Sequence, residues 1–145
     1  MWIDRLTASR TTHAIELAAQ FAEQRHKVLA ENIANVDTPD YATKRLDPAA
    51  FEASLKEALE RGQRTRARRL ELRGNAQFAP GPDGHLRARP VEEPAANVLF
   101  HDGTNVRLER LLADVAQNGL SYEVTTSFLR GRFQSLLRAI RGRVE

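Results

Sequence analysis

The chain has 145 residues, 41% of them hydrophobic, which suffices for one modest core with appendages and not for two cores. It has no cysteine, which excludes a disulfide framework, a thiolate metal site and a cysteine nucleophile. The formal charge of +3, from 22 basic and 19 acidic side chains, is unevenly spread: Arg61, Arg64, Arg66, Arg68, Arg69 and Arg73 stand against Glu71 alone in the middle of the chain.

Met1 to Arg10 carry Asp4, Arg5 and Arg10 with no continuous apolar run behind them, so neither a secretory signal nor a membrane span is expected. From Thr11 to Asn35 the pattern is helical, with Ala14, Ile15, Ala18, Phe21, Ala22, Val28, Leu29 and Ile33 on one broad face. Alanines at 14, 18, 19, 22 and 30 favour helix and leave little bulk, so a second helix can approach closely. Arg25, His26 and Lys27 interrupt the apolar count and are expected to face water, with His26 a surface side chain.

The helix stops within Asn32-Ile33-Ala34-Asn35-Val36-Asp37-Thr38-Pro39-Asp40-Tyr41. Asn35 can close a helix in the left-handed conformation, Thr38 is held extended by the proline after it, and Pro39 cannot donate a helical hydrogen bond. Asp37 and Thr38 can bond to nearby backbone amides. Pro39 and Asp40 suit the centre of a type I turn that returns Tyr41 toward the helix. This stretch resembles the N-terminal joint of the flagellar axial proteins, through Leu29, Ala30, Asn32, Ile33, Ala34, Asn35, Asp37, Thr38, Pro39 and Tyr41. Asp40 departs from the glycine usual there, and that departure predicts a different path after the helix.

Asp47 before Pro48 predicts a capped helix from Pro48 to Arg61, with Gly62 as its stop. The arginine run beyond it reads either as a solvated loop or as an arm for an anionic partner. Leu70-Glu71-Leu72-Arg73 alternates, and Gly81-Pro82-Asp83-Gly84 marks a turn between Phe78 and Leu86, which predicts a small hairpin. Prolines 80, 82, 90 and 94 limit any strand to a few residues and keep 87–96 extended and mobile.

The last helix is expected from Asn105 to Arg141, capped by Thr104 or Asn105. Steps of four and three from Leu108 reach Leu112, Val115, Gly119, Tyr122 and Thr126, then Leu129, Phe133, Leu136 and Ile140, a heptad seam that needs a partner helix. Gly119, Val124 to Ser127 and Gly131 weaken its centre, so the isolated monomer is expected to be partly disordered at its ends and to order on assembly. Asp102, Gly103, Asn105, Val106, Asn118, Tyr122, Phe133, Leu136, Ala139, Ile140 and Gly142 resemble the terminal helix of the proximal rod proteins of the flagellar basal body, the FlgB family. Arg107 replaces the aspartate that family favours.

The expected architecture is all-α dominated: two long helices pair as an elongated hairpin or coiled coil, around a partly disordered middle section with a short helix and a small β-hairpin. The divisions are 1–41, 42–104 and 105–145. No catalytic constellation emerges, because His13, His26, His85 and His101 are scattered and Glu92 and Glu93 lie on an extended, proline-bounded strip. No cofactor or metal is expected.

The resemblance implies a structural rod subunit that transmits torque, in the periplasmic part of the basal body. It implies copies of itself, other rod proteins, and the basal-body adaptor and MS-ring components as partners. Export would run through the flagellar type III apparatus without a cleaved signal, with neither nucleic-acid binding nor direct membrane insertion. The expected interface comprises Phe21, Val28, Asn32, Asn35, Asp37, Pro39 and Tyr41 at the joint. Along the seam it comprises Leu112, Val115, Tyr122, Leu129, Phe133, Leu136 and Ile140. Two alternatives stay open from the residues alone: a basic helical protein that binds nucleic acid through Arg61 to Arg73, and a coiled-coil secretion adaptor.

Overall fold

The computed structural model describes residues 9–67, 69–82, 84–93 and 103–142. Helix α1 (Arg10–Ala34) is followed by strand β1 (Lys44–Arg45), helix α2 (Pro48–Thr65), strands β2 (Phe78–Pro80), β3 (Leu86–Ala88) and β4 (Val91–Glu92), and helix α3 (Gly103–Arg141). The helix-dominated class is as the sequence indicates. The expectations that involve Asp4, Arg5, Arg68, Asp83, 94–96, His101 and Asp102 concern residues outside those described.

α1 is the spine. Ser9 caps it, accepting the Thr12 N–H at 3.1 Å, and two of its faces are covered. Against one face packs the middle section, with Leu46, Phe51, Ala58, Leu70, Leu72, Phe78 and Leu86 joining Ala14, Leu17, Phe21 and Val28 in a single core. Phe21 stacks on Phe51 at 4.2 Å between ring centroids, and the edge of Phe78 closes the cluster at 5.6 Å from Phe51. Against the other face lies α3, antiparallel, with Arg25 Nη2 on Asp114 Oδ1 at 2.9 Å and Asn118 Nδ2 donating to the Ala22 carbonyl at 2.8 Å. Arg25 therefore does not face water: it is 8% exposed. His26 is exposed, as expected.

α2 begins as predicted, with Asp47 accepting the Ala49 N–H at 3.0 Å and proline in the first turn. It does not stop at Gly62. It continues to Thr65 and closes at Arg66, φ 54°, while Gly62 is a buried contact point against Arg10 and Leu70. Helix continues there because the chain needs a residue without a side chain at a close crossing, and breaking the helix would expose the peptide groups. The predicted hairpin forms as β2 pairs antiparallel with β3, Phe78 opposite Ala88. A second antiparallel pair, β1 with β4, sets Lys44 opposite Glu92 and ties the chain after the joint to the strip after Pro90.

α3 starts at Gly103, so Thr104 and Asn105 lie inside its first turn and not at its cap. At roughly 1.5 Å per residue it is about 58 Å long against about 37 Å for α1. The Arg25–Asp114 and Ala22–Asn118 contacts set Arg10 level with about residue 130, so residues 131–141 run roughly 16 Å past the first turn of α1.

Candidate functional site

The joint after α1 is built around the Asn32 carboxamide, which is 2% exposed. Its Oδ1 accepts the Lys44 N–H at 2.9 Å and the Tyr41 phenol at 3.1 Å, and its Nδ2 donates to the Lys44 carbonyl at 2.7 Å. One side chain thus satisfies both backbone groups of Lys44, as a neighbouring strand would. Glu31, one residue before, pairs with the Lys44 ammonium and raises its pKa through that hydrogen bond. Burial, then the Glu31 carboxylate, pushes the Tyr41 phenol above its usual range, with Lys44 opposing.

The helix exit differs from the expected one. Asn35 has φ −111°, not a left-handed conformation, and its Nδ2 donates to the Glu31 carbonyl at 2.8 Å. The Thr38 hydroxyl bonds to the Asn35 side chain and not to a backbone amide. Reversal is deferred to the turn 38–41, where Tyr41 N–H reaches the Thr38 carbonyl at 3.3 Å and Asp40 takes φ 59°. A positive φ at that position is the type II pattern, so Asp40 adopts the conformation a glycine would and the expected type I turn is replaced. Asn35 spends its side-chain amide on the Glu31 carbonyl in the last turn, which leaves the left-handed residue to come later. Asp37 and Pro39 are exposed beside this turn.

Along α3, the expected seam splits between two faces. Among the described side chains of α3, Leu111 and Asn118 are buried, and Leu108, Val115, Thr125, Leu129 and Leu136 are half-buried, a stripe that steps three and then four. Leu112, Phe133 and Ile140 are exposed, together with Tyr122, Leu120 and Phe128, and Phe133 and Ile140 lie on the stretch of α3 that runs past α1. The polar Asn118 and Asp114 take the inward places because each has a partner on α1, a pairing that apolar spacing does not reveal. Thr125 and Thr126 are satisfied internally, their hydroxyls accepted by carbonyls of the preceding turn. A groove of about 1060 Å³ runs beside them, lined by Thr11, Thr12 and Ile15 of α1 and by Leu120, Val124 and Phe128 of α3.

Phe21, Val28 and Asn32 are thus interior residues of the chain's own fold, whereas Leu112, Tyr122, Phe133 and Ile140 are open to solvent. In the arginine run, Arg61 and Arg73 both reach Glu57, at 3.4 and 3.2 Å, Arg64 sits in the last turn of α2, and Arg66 closes it. Among the described residues no helix is long and apolar enough to cross a membrane.

No family model matches the chain. The sequence is similar to the flagellar basal body rod protein FlgB of Salmonella typhimurium, 28% identical over 147 residues, covering 97% of this chain and 98% of the relative. It is 31% identical over 130 residues to FlgB of Borrelia hermsii, covering 85% and 92% of the two chains, and 25% identical over 134 residues to FlgB of Bacillus subtilis, covering 92% and 95%. Long terminal helices, the Asn32 joint and near full-length similarity agree, and the chain belongs to the FlgB family of flagellar basal body rod proteins.

Proposed function

We propose that this chain is a structural subunit of the flagellar basal body rod, built into the rod wall by the outward faces of its paired long helices. The observation that carries the reading is the exposure of Leu112, Phe133 and Ile140, apolar side chains 46–60% exposed, the last two on the end of α3 that runs past α1. Phe21, Val28 and Asn32 contribute by fixing the shape of the joint, and Asp37, Pro39 and Tyr41 present that joint to a neighbour. Val115 and Leu129 hold α3 on α1, Leu136 lies on the stretch of α3 that runs past it, and Asn35 holds the exit turn. The part-buried Arg25–Asp114 pair resists sliding of one helix along the other, which suits a part that transmits torque.

The partners are copies of this chain and other rod proteins, with the adaptor and MS-ring components below them and the flagellar export apparatus on the way out. A structural role without catalysis accords with the relatives' names as rod proteins. The distal half of α3 is only partly protected in the free chain and orders on assembly.

Because the chain has no native cysteine, Leu112→Cys and Phe133→Cys can be crosslinked in cells and the basal bodies purified. Disulfides to another rod subunit carrying a matching cysteine support the reading. Incorporation without any crosslink would refute the assigned faces, and absence from basal bodies would refute the role itself.

A further inference from the structure

The overhanging end of α3 has a composition that pairing with α1 does not explain. From 124 to 142 the chain has Arg130, Arg132, Arg138 and Arg141 and neither Asp nor Glu. At roughly 100° per residue, Leu129, Phe133, Leu136, Leu137 and Ile140 share a sector about 100° wide. Arg130 and Arg141 border one edge of this sector and Arg132 the other, with Arg138 on the opposite side. Phe133, Leu137 and Ile140 are 46–60% exposed, and α1 has already passed its first turn at this level.

The same strip of a second copy does not complete this face, because pairing would bring both sets of arginines together with no carboxylate between them. The exposed acids of α1, Glu23 and Glu31, are already engaged by Lys27 and Lys44. An apolar sector bordered on both edges by arginines fits a surface that is apolar below and negatively charged above.

We propose that residues 129–141 lay the chain on an anionic lipid surface. Phe133, Leu137 and Ile140 enter the boundary between headgroups and acyl chains, and Arg130, Arg132 and Arg141 reach the lipid phosphates. The helix lies in the interface and does not cross it, since among the described residues no helix could span a membrane. The inference stands independently of the rod reading, because it concerns the free chain before any assembly.

The test is co-sedimentation of the purified full chain with vesicles of phosphatidylcholine and phosphatidylglycerol in equal parts, and with vesicles of phosphatidylcholine alone. Binding to the anionic vesicles is expected, weakening as salt rises, with little on the neutral ones. Arg130→Gln with Arg141→Gln should weaken it about thirtyfold. Phe133→Ser with Leu137→Ser should abolish it, and circular dichroism checks that the fold persists, since both side chains lie outside the core. Equal binding to both vesicles, no binding at low salt, or binding that survives either double variant overturns the proposal. A self-associated chain that ignores vesicles overturns it in favour of a second copy.

Discussion

The carboxamide of Asn32 binds Lys44 twice, accepting its N–H at 2.9 Å and donating to its carbonyl at 2.7 Å, so the end of α1 acts as an edge strand for the chain that leaves it. Two other α1 side chains do related work: Gln20 accepts the Leu86 N–H at 2.8 Å and His13 accepts the Leu70 N–H at 2.9 Å. The middle section, short of strands, finds its missing acceptors on a helix. That dependence makes the polar residues of α1 as important to the fold as its apolar ones.

Asn32→Ala should therefore cost about 2 to 4 kcal/mol, because it leaves buried backbone groups of Lys44 and the Tyr41 hydroxyl without partners. Asn32→Asp keeps the acceptor but loses the donor to the Lys44 carbonyl, and should fall between the two. Urea unfolding of the three proteins measures this. A loss below about 0.5 kcal/mol for Asn32→Ala would mean that water replaces the carboxamide.

Arg25 and Asp114 should show the asymmetry of a buried pair. Asp114→Ala strands a guanidinium that is 8% exposed, and a loss of about 3 kcal/mol is expected, somewhat less if water enters beside the partly exposed carboxylate. Arg25→Met with Asp114→Leu should recover most of it, since neither charge is then left alone. A double variant no more stable than Asp114→Ala would show that the pair is favourable in itself and not merely costly to break. Crosslinks between α1 and α3 in the double variant would report any slippage in register.

The long helices were legible because periodicity over 25 or 39 residues is a strong signal, and Asp47-Pro48 and Gly81 to Gly84 fixed the start of α2 and the hairpin turn. What escaped was polar. Arg25 read as solvent-facing and Asn118 fell outside the apolar seam, yet each is buried against a partner that lies about 90 residues away in sequence, and no local pattern reports such a pair. The two-residue strands β1 and β4 are too short to alternate. At Asp40, propensity argued against positive φ, and the hydrogen-bonded turn that returns Tyr41 to Asn32 overrode it. For the candidate interface, spacing found the apolar residues of α3 but not which of them face inward, because Asn118 displaces the stripe by one position.

His13 gives the fold a pH dependence. Burial, with the Arg69 charge beside it, lowers its pKa below 6.5, while Glu16 opposes. Its neutral Nδ1 is the acceptor for the Leu70 N–H, and protonation removes that acceptor. A folded-state value below the unfolded one means that the stabilisation is complete above 6.5 and is lost as pH falls through the folded-state value. Melting temperature should drop between about pH 7 and about pH 5, and His13→Gln, which can still accept but does not titrate, should flatten that part of the curve. An unchanged slope in the variant would assign the loss to other groups.

Gly62 sets helix propensity against packing. In an exposed helix, glycine to alanine gains about 1 kcal/mol. Here a Cβ would stand 3.0 Å from Leu70 Cδ2 and 3.4 Å from Arg10 Cδ, and the Gly62 carbonyl also receives the Arg10 guanidinium at 2.6 Å. Leu70 is a core residue with little room to retreat, and overpacking of this kind costs about 1 to 3 kcal/mol. Packing should win, so Gly62→Ala is expected to destabilise by about 1 kcal/mol net, the balance of those two effects. Gly62→Ala with Leu70→Val should recover part of the loss by making room for the new methyl group. Calorimetry on the single and double variants decides it: a more stable Gly62→Ala would mean that Leu70 moves aside freely and that the glycine is not required for the crossing.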